Sequence, residues 1–509
     1  MKLPLVSAKL MNAAPLSSFT RRQLIGVVLG PLFGIAPWLF SAPTGLSPEA
    51  WTVAGIALMM ATWWVTEPVP IPVTALLPMI LFPLSGVAPI ADATASYAHP
   101  IVFLFLGGFV LALGMERTGL HRRLAFAMIG ALGFSPPRLI AAFLIATASL
   151  SMWVSNTATA LMVLPIAVSV VALIPAGEKE RPAMKAFATA LLLAVAYGAT
   201  TGGMGTLIGT PPNAFLAAFV QQSYGITIGF GQWMLLGIPI VALALPLVYF
   251  GLTRGAFRTD DSALAGVAEM VAAEKSDLGR LSRSELTVAI VFATTAIAWI
   301  TRPWMAGVIP GLSDTGIAIA GASLLFLLPM GNGSSERVMD WNTCTRLPWG
   351  VLLLFGGGLS LAGRIQSTGL SAWLGNQAEA LGGLPLFLLI ATLALGILLL
   401  TELTSNTATA ATFLPVVAAI AIKLGLNPLL LLVPTALAAN CSYMMPVGTP
   451  PNAIVYGSGR IDLNDMVKTG IWLNLLLVPL ITLVVLLLGP LVFGIEFDIL
   501  PDWAKNNSP

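Results

Sequence analysis

The chain of 509 residues is 57% hydrophobic and only 9% charged, with a mean hydropathy of +0.91. Soluble domains carry about 25% charged residues, so this composition excludes a water-soluble globule and describes a protein immersed in a bilayer. The net charge of +2 supplies no extended basic surface, and no nucleic-acid partner is expected.

In chain order, Lys2, Lys9, Arg21 and Arg22 precede the first apolar run with no acidic residue among them. The positive-inside rule then puts the N-terminus on the cytoplasmic side, here of the inner (plasma) membrane. Arg21-Arg22 ahead of an apolar stretch has the look of a twin-arginine export signal. No small-x-small cleavage site follows and further spans do, so the pair reads as a basic flank. Apolar runs recur at 24–41, 50–66, 139–154, 157–175, 233–252, 286–301, 315–330, 384–401, 428–445 and 470–495. Being continuous rather than alternating, they predict helices, about ten or eleven spans with shorter broken segments, and not a barrel. Between the halves, Arg254 to Glu285 mixes five basic and six acidic residues without a sustained apolar face, and reads as a membrane-surface connector. The tail sets Glu496, Asp498 and Asp502 against Lys505, which suits the opposite side and requires an odd number of crossings.

The chain is internally duplicated. Phe105-Leu-Gly-Gly-Phe-Val-Leu-Ala aligns with Phe355-Gly-Gly-Gly-Leu-Ser-Leu-Ala at an offset of 250, which also pairs Thr118-Gly119-Leu120 with Thr368-Gly369-Leu370. The same offset superposes Ser155-Asn-Thr-Ala-Thr-Ala160 on an identical hexapeptide, Ser405–Ala410. Gly209-Thr-Pro-Pro-Asn-Ala214 is likewise identical to Gly448–Ala453, at an offset of 239. If each half has an odd number of spans and the first ends where the second starts, the repeats are inverted, an arrangement that places a substrate site between them.

Each motif demands a broken helix. Ser155-Asn156-Thr157 and Ser405-Asn406-Thr407 interrupt apolar stretches with groups that cost several kcal/mol if left unsatisfied in hydrocarbon. Ser and Asn suit a helix N-terminus, where free N–H groups attract carboxylate, while oxygens and freed carbonyls can enclose a cation. In Gly-Thr-Pro-Pro-Asn, two prolines remove two backbone donors and push the preceding residue out of the helical region. No Arg or Lys lies in either motif, so an anion there must be held by dipoles, hydroxyls, amides and co-bound cations. Glu402 and Glu67 are rare intramembrane carboxylates, either functional or at helix ends. Two cysteines, Cys344 and Cys441, and two histidines, His99 and His121, make no disulfide framework and no zinc site, and no tightly bound cofactor is expected.

With these residues the sequence resembles the divalent anion/sodium symporter family, which carries dicarboxylates, citrate and in some members sulfate. The resemblance rests on Thr66-Glu-Pro-Val-Pro-Ile-Pro-Val-Thr-Ala-Leu-Leu-Pro78, on Leu347-Pro-Trp-Gly-Val-Leu-Leu-Leu-Phe-Gly-Gly-Gly358, and on both pairs of motifs. It implies an all-α polytopic fold of eleven spanning helices with two re-entrant hairpins, and a homodimer in which a transport domain moves by an elevator motion. The implied division is N-terminal scaffold helices over 1–85, a first repeat over 86–253, and a cytoplasmic linker over 254–285. Scaffold helices over 286–345, a second repeat over 346–495 and a tail over 496–509 complete it.

By position, the resemblance implies a first sodium site at Ser151, Ser155, Asn156 and Gly209, and a second at Thr401, Ser405, Asn406 and Gly448. Substrate carboxylates would meet Asn156, Thr157, Thr210 and Pro211 on one side, and Asn406, Thr407, Thr449 and Pro450 on the other. Both hexapeptides continue Ala-Thr-Ala, which resembles the sodium-coupled members. The expectation is therefore sodium-coupled uptake of a C4-dicarboxylate such as succinate, malate or fumarate. Sodium-independent exchange is the alternative, and an intramembrane enzyme built on Ser155 or Ser405 a remote one that lacks a general base.

Overall fold

Local chemistry starts most of the helices. Thr20 and Gln23 form a capping box at the head of Arg21–Leu39, and Ser47 caps Pro48–Thr66 with a proline in the first turn. Ser282 and Glu285 cap Arg283–Met305 reciprocally, at 3.1 and 2.7 Å. These satisfy donors that helix starts otherwise leave open. The computed structural model describes residues 19–175, 181–257, 266–331, 335–497 and 499–505. Lys2, Lys9 and Asp498, and with them part of the argument for sidedness, lie outside the described residues, as do 258–265 of the connector. Among the described residues the regular structure is helical, with one isolated bridge between Pro329 and Arg337.

The two halves run through the same series of elements. Pro100–Thr118 and Trp349–Ser367 carry the Phe-Leu-Gly-Gly and Phe-Gly-Gly-Gly segments. Each is followed by a glycine in the left-handed region, Gly119 at φ 81° and Gly369 at φ 80°, which side chains rarely adopt. The chain thereby turns into the short helices Leu120–Ile129 and Leu370–Gln377. A hairpin follows in each half, Pro136–Ser151 with Asn156–Ala172, and Leu386–Thr401 with Asn406–Lys423. Then comes a broken helix, Pro182–Gly203 with Pro211–Tyr224, and Leu429–Asn440 with Pro450–Tyr456. Long helices, Phe230–Phe250 and Leu463–Phe493, close the two series and pack on each other.

The expected spans at 139–154 and 157–175 are in fact two arms of one hairpin, 16 and 17 residues long. At 1.5 Å per residue each reaches about 24–26 Å, short of a hydrocarbon core of about 30 Å. The expected span at 428–445 is likewise a 12-residue helix followed by irregular backbone. Among the described residues, seven helices are long and apolar enough to cross a membrane. The connector contains an 11-residue helix, Val267–Asp277, that buries Val267 and Val271.

The halves interlock. Pro211–Tyr224 packs on the second half's Asn406–Lys423 and Leu429–Asn440, while Pro450–Tyr456 packs on the first half's Asn156–Ala172 and Pro182–Gly203. Phe105 and Phe355, equivalent by the offset of 250, meet with ring centroids 5.0 Å apart. Small residues allow such closeness: a Cβ on Gly202 would lie 2.1 Å from Ala148 O on the hairpin, the close backbone approach on which membrane helix packing relies.

Candidate cation and substrate site

At the first hairpin tip, helix Asn156–Ala172 begins after Ser155, whose Oγ accepts from Ala158 N at 3.3 Å. The Asn156 amide then turns toward the first broken helix. One of its terminal atoms lies 2.6 Å from Ser151 Oγ, 3.0 Å from Ala199 O and 3.2 Å from Gly209 O. Taken as Oδ1, that atom makes a cluster of four oxygens. Ser151 then has one proton for two acceptors, Asn156 Oδ1 at 2.6 Å and Ala199 O at 2.8 Å. Such a cluster suits a hard cation; otherwise the amide turns and its NH2 donates to all three groups. Gly203 and Gly209 are required sterically, because Cβ atoms there would fall 2.4 Å from Asn156 Oδ1 and 2.5 Å from Gly203 O.

The break after Gly203 is braced from below. Thr210 has the extended backbone expected of a residue before Pro-Pro, and the helix starts at Pro211. Asn213, in the first turn, donates from Nδ2 to Thr206 O at 2.9 Å, with Gly203 O and Met204 O at 3.2 and 3.3 Å. Thr206 in turn donates to Met152 O at the hairpin tip and accepts from Gly209 N at 3.0 Å. The motif's asparagine therefore pins the carbonyls of the break.

The second half repeats this construction. The corresponding atom of Asn406 lies 2.7 Å from Thr401 Oγ1, 3.0 Å from Gly448 O and 3.3 Å from Ala439 O. Asn452 Nδ2 donates to Ser442 O and Met445 O, both at 3.1 Å. One residue has no counterpart. Glu402 stands where the offset of 250 places Met152, and the residue is 3% exposed. It accepts from Tyr443 N (2.8 Å), Met444 N (3.0 Å), Met445 N (2.9 Å), Ser442 Oγ (3.0 Å) and Asn474 Nδ2 (2.7 Å). Surrounded by donors, it braces the second break and is no cation ligand. Glu67 is different: it ends a helix, exposed, in the left-handed region at φ 49°.

Direct bonds join the two breaks. Thr210 Oγ1 donates to Asn440 Oδ1 at 2.6 Å, and Asn440 Nδ2 to Thr200 O at 3.1 Å. Tyr443 OH lies 2.9 Å from Thr201 Oγ1, while Tyr197 OH donates to Tyr443 O at 2.8 Å.

Of the residues singled out from sequence, Ser151, Asn156 and Gly209 come together, as do Thr401, Asn406 and Gly448. Ser155 serves its own helix start, and Ser405 makes no side-chain cap bond. Thr210, Thr407 and Thr449 are buried, Thr157 and Pro211 half-buried, and Pro450 exposed. Sequence reasoning missed Ala199 and Ala439, which contribute only carbonyls, and Asn213, Asn452, Asn440 and Tyr443. It also missed Arg22, whose guanidinium donates to Val65 O and, at 3.2 Å, to Leu403 O beside the second hairpin tip. A basic group does therefore reach the backbone next to the second motif. Trp153, at the first tip, stacks toward Phe230 (6.1 Å), which stacks on Trp299 (4.2 Å).

Chemically, the breaks offer helix N-termini at Asn156, Pro211, Asn406 and Pro450, each carrying roughly half a positive charge. Anions are held at such termini without basic side chains, and the oxygen clusters beside them offer places for cations.

Residues 22–495 match the family model described as the sodium:sulfate symporter transmembrane region. The chain is 42% identical over 486 residues to the sodium-dependent dicarboxylate transporter SdcS of Staphylococcus saprophyticus, with 94% of each chain covered. It is 41% identical over 487 residues to SdcS of Staphylococcus aureus (strain USA300), again with 94% of each covered. The fold is similar to that of the Alcanivorax borkumensis YdaH transporter, at TM-score 0.56 and 16% identity over 93% of this chain and 99% of that one. Neisseria gonorrhoeae MtrF is equally similar, at TM-score 0.56 and 12% identity over 95% and 96%. At those identities the solved structures speak to the fold alone. Matched over nearly its whole length, this multi-pass helical membrane protein is a transporter rather than an enzyme and belongs to the sodium:sulfate, or divalent anion/sodium, symporter family.

Proposed function

We propose that the protein is a secondary active transporter that carries a C4-dicarboxylate such as succinate, malate or fumarate into the cell together with Na+. The observation that carries this reading is the duplicated polar cluster, four oxygens when the asparagine presents Oδ1. In each half a hydroxyl, an amide and two backbone carbonyls gather at a helix break, within 2.6–3.3 Å of one asparagine atom. Freed carbonyls and half-helix ends of this kind coordinate Na+ in discontinuous-helix transporters. The relatives named as sodium-dependent dicarboxylate transporters support the same cargo.

Na+ binds at Ser151, Ser155, Asn156 and Gly209, and at Thr401, Ser405, Asn406 and Gly448. The carboxylates are held by Asn156, Thr157, Thr210 and Pro211 opposite Asn406, Thr407, Thr449 and Pro450. Bound Na+ and the helix N-termini supply the positive potential, so anion and cation bind together. The halves are inverted repeats, with their re-entrant hairpins and broken helices moving as one body. That body passes a scaffold formed by 1–85 and 286–345, which also builds a homodimer in the lipid of the inner membrane with the N-terminus cytoplasmic.

The test is thermal. Succinate should raise the unfolding midpoint in Na+ and not in K+, because a ligand stabilises the state it binds, and N156A and N406A should each lose Na+ protection. Equal protection by succinate in both salts sinks the coupled reading. A second reading, sodium-independent exchange, is favoured by one observation: with its amide turned, each asparagine satisfies the cluster without a cation. In that case protection is indifferent to Na+.

A further inference from the structure

We propose that the cavity between the short helix Leu370–Gln377 and the base of the second hairpin is a binding site for an anionic phospholipid. The cavity measures about 140 Å³, with Phe219, Ile365, Pro415 and Ala419 among its apolar walls and Gln366, Asn376 and Lys423 at its polar edge. A dry cavity of about 150 Å³ accommodates a benzene-sized group, so this one takes a few methylenes of a chain and not a whole acyl tail. Its height is set by three helix ends: Pro211–Tyr224, Trp349–Ser367 and Asn406–Lys423 all terminate around it. Unlike the ends at the breaks, two of these carry Arg364, Gln366 and Lys423, and polar and basic helix ends belong at the membrane–water boundary, where phospholipid headgroups are.

The electrostatics select an anion. Lys423 is exposed, and among the described residues it has neither an ion-pair nor a hydrogen-bond partner. It is the only charged residue of its helix, and Leu370–Gln377 has none. At a helix C-terminus the lysine suits the dipole and leaves its charge directed at whatever covers the cavity. Gln366 Nε2 is engaged with Ser223 O at 3.3 Å, which leaves Lys423, the exposed amide of Asn376 and the hydroxyls of Ser371 and Tyr224 as donors to a phosphate. Basic pockets between membrane helices hold anionic headgroups in this way.

The first half indicates what kind of cover is needed. There the offset of 250 replaces Lys423 by Leu173, Asn376 by Phe126 and Gln366 by Glu116. The connector helix Val267–Asp277 packs on Leu120–Ile129, burying Val267 and Val271, and a Cβ on Gly266 would lie 3.9 Å from Leu173. The chain thus covers this place in the first half with a helix that buries two valines and pairs Glu274 with Arg122 at 3.2 Å. In the second half no described segment closes the equivalent gap. The basic group at the first-half edge, Arg122, is thus paired with Glu274, whereas Lys423 is without a partner among the described residues and open to an amphiphile with an anionic head. Any effect on transport rests on the elevator reading. The site itself does not.

The full-length protein in neutral detergent is titrated with dioleoyl phosphatidylglycerol, dioleoyl phosphatidylcholine or glycerol 3-phosphate, read by native mass spectrometry and thermal midpoint. Phosphatidylglycerol should be retained and should raise the midpoint, and the other two should not. K423A should weaken retention about fivefold, the electrostatic worth of one lysine beside an anionic surface. A372W, which fills the cavity from an exposed position, should weaken it as well, and K505A should leave it unchanged. Equal retention of phosphatidylcholine, undiminished retention by K423A, or equal protection by glycerol 3-phosphate each overturns the lipid site. Sodium-coupled uptake is measured separately, so either reading can fail without the other.

Discussion

Replacing Glu402 by glutamine tests whether a buried carboxylate holds the second break in shape. The carboxylate accepts five donors, three of them the consecutive backbone N–H groups of Tyr443, Met444 and Met445. In E402Q one acceptor oxygen becomes an NH2 that faces donors. The least costly arrangement puts it at the Oε1 position and turns Asn474, whose Oδ1 has no hydrogen-bond partner, to accept from it. Tyr443 N–H is then orphaned and the remaining bonds lose their charge assistance. One orphaned buried donor together with weakened charged bonds costs about 2–3 kcal/mol. The strain reaches the cation cluster directly, because Gly448 N donates to Met445 O at 3.2 Å and Gly448 O is a cluster atom. Expressed wholly as Na+ affinity, this is roughly a 30- to 150-fold loss. E402A removes every acceptor and should be worse. The assay is Na+ titration of the thermal midpoint and of succinate uptake, with N156A marking loss of the first cluster. Wild-type Na+ dependence in E402Q would refute the bracing role.

Two glycines should respond differently to alanine. In G448A the nearest obstacle is Ser442 Oγ at 1.9 Å, so adding S442A should recover part of the midpoint; in G209A it is the backbone oxygen Gly203 O at 2.5 Å, and no side-chain change should rescue it. Truncation at the joint between breaks, N440A, should cost about 1–3 kcal/mol, and its effect should not add to that of T210V, with a coupling of about 0.5–3 kcal/mol in a double-mutant cycle. Burial holds the His121 imidazole below its ordinary value of 6.5, with Nδ1 3.0 Å from Met115 O. The folded state therefore prefers the neutral ring: its stability is intact above the unfolded value and falls as pH drops below about 6.5. Acidification from pH 7 toward 5 should lower the midpoint in wild type, and less in H121Q; equal slopes contradict this.

What was legible in the sequence was local. Pro-Pro must begin a helix rather than sit inside one, and Ser-Asn-Thr suits a helix start, so the four break points fall where the motifs put them. Duplication announced the partnership between halves before any packing was visible. Hydropathy alone could not tell a full span from a hairpin arm, because 139–154 and 157–175 are more apolar than the crossing helices Arg21–Leu39 and Arg283–Met305; only the helix ends at Ser151 and Asn156 separate them. The work of Glu402 was hidden because its donors come from Ser442, Tyr443, Met444, Met445 and Asn474, far along the chain. Ala199 and Ala439 act through carbonyls that any residue would carry. Arg22, in a basic flank, gave no sign that it reaches Leu403.

Sodium coupling is tested most directly by uptake of labelled succinate into proteoliposomes containing the purified protein. Sodium-coupled symport predicts accumulation above the external concentration when Na+ is high outside and low inside. Collapsing the Na+ gradient should abolish it, and unlabelled succinate inside should not be required. Accumulation that ignores Na+ and requires internal dicarboxylate would contradict symport and make the protein an exchanger.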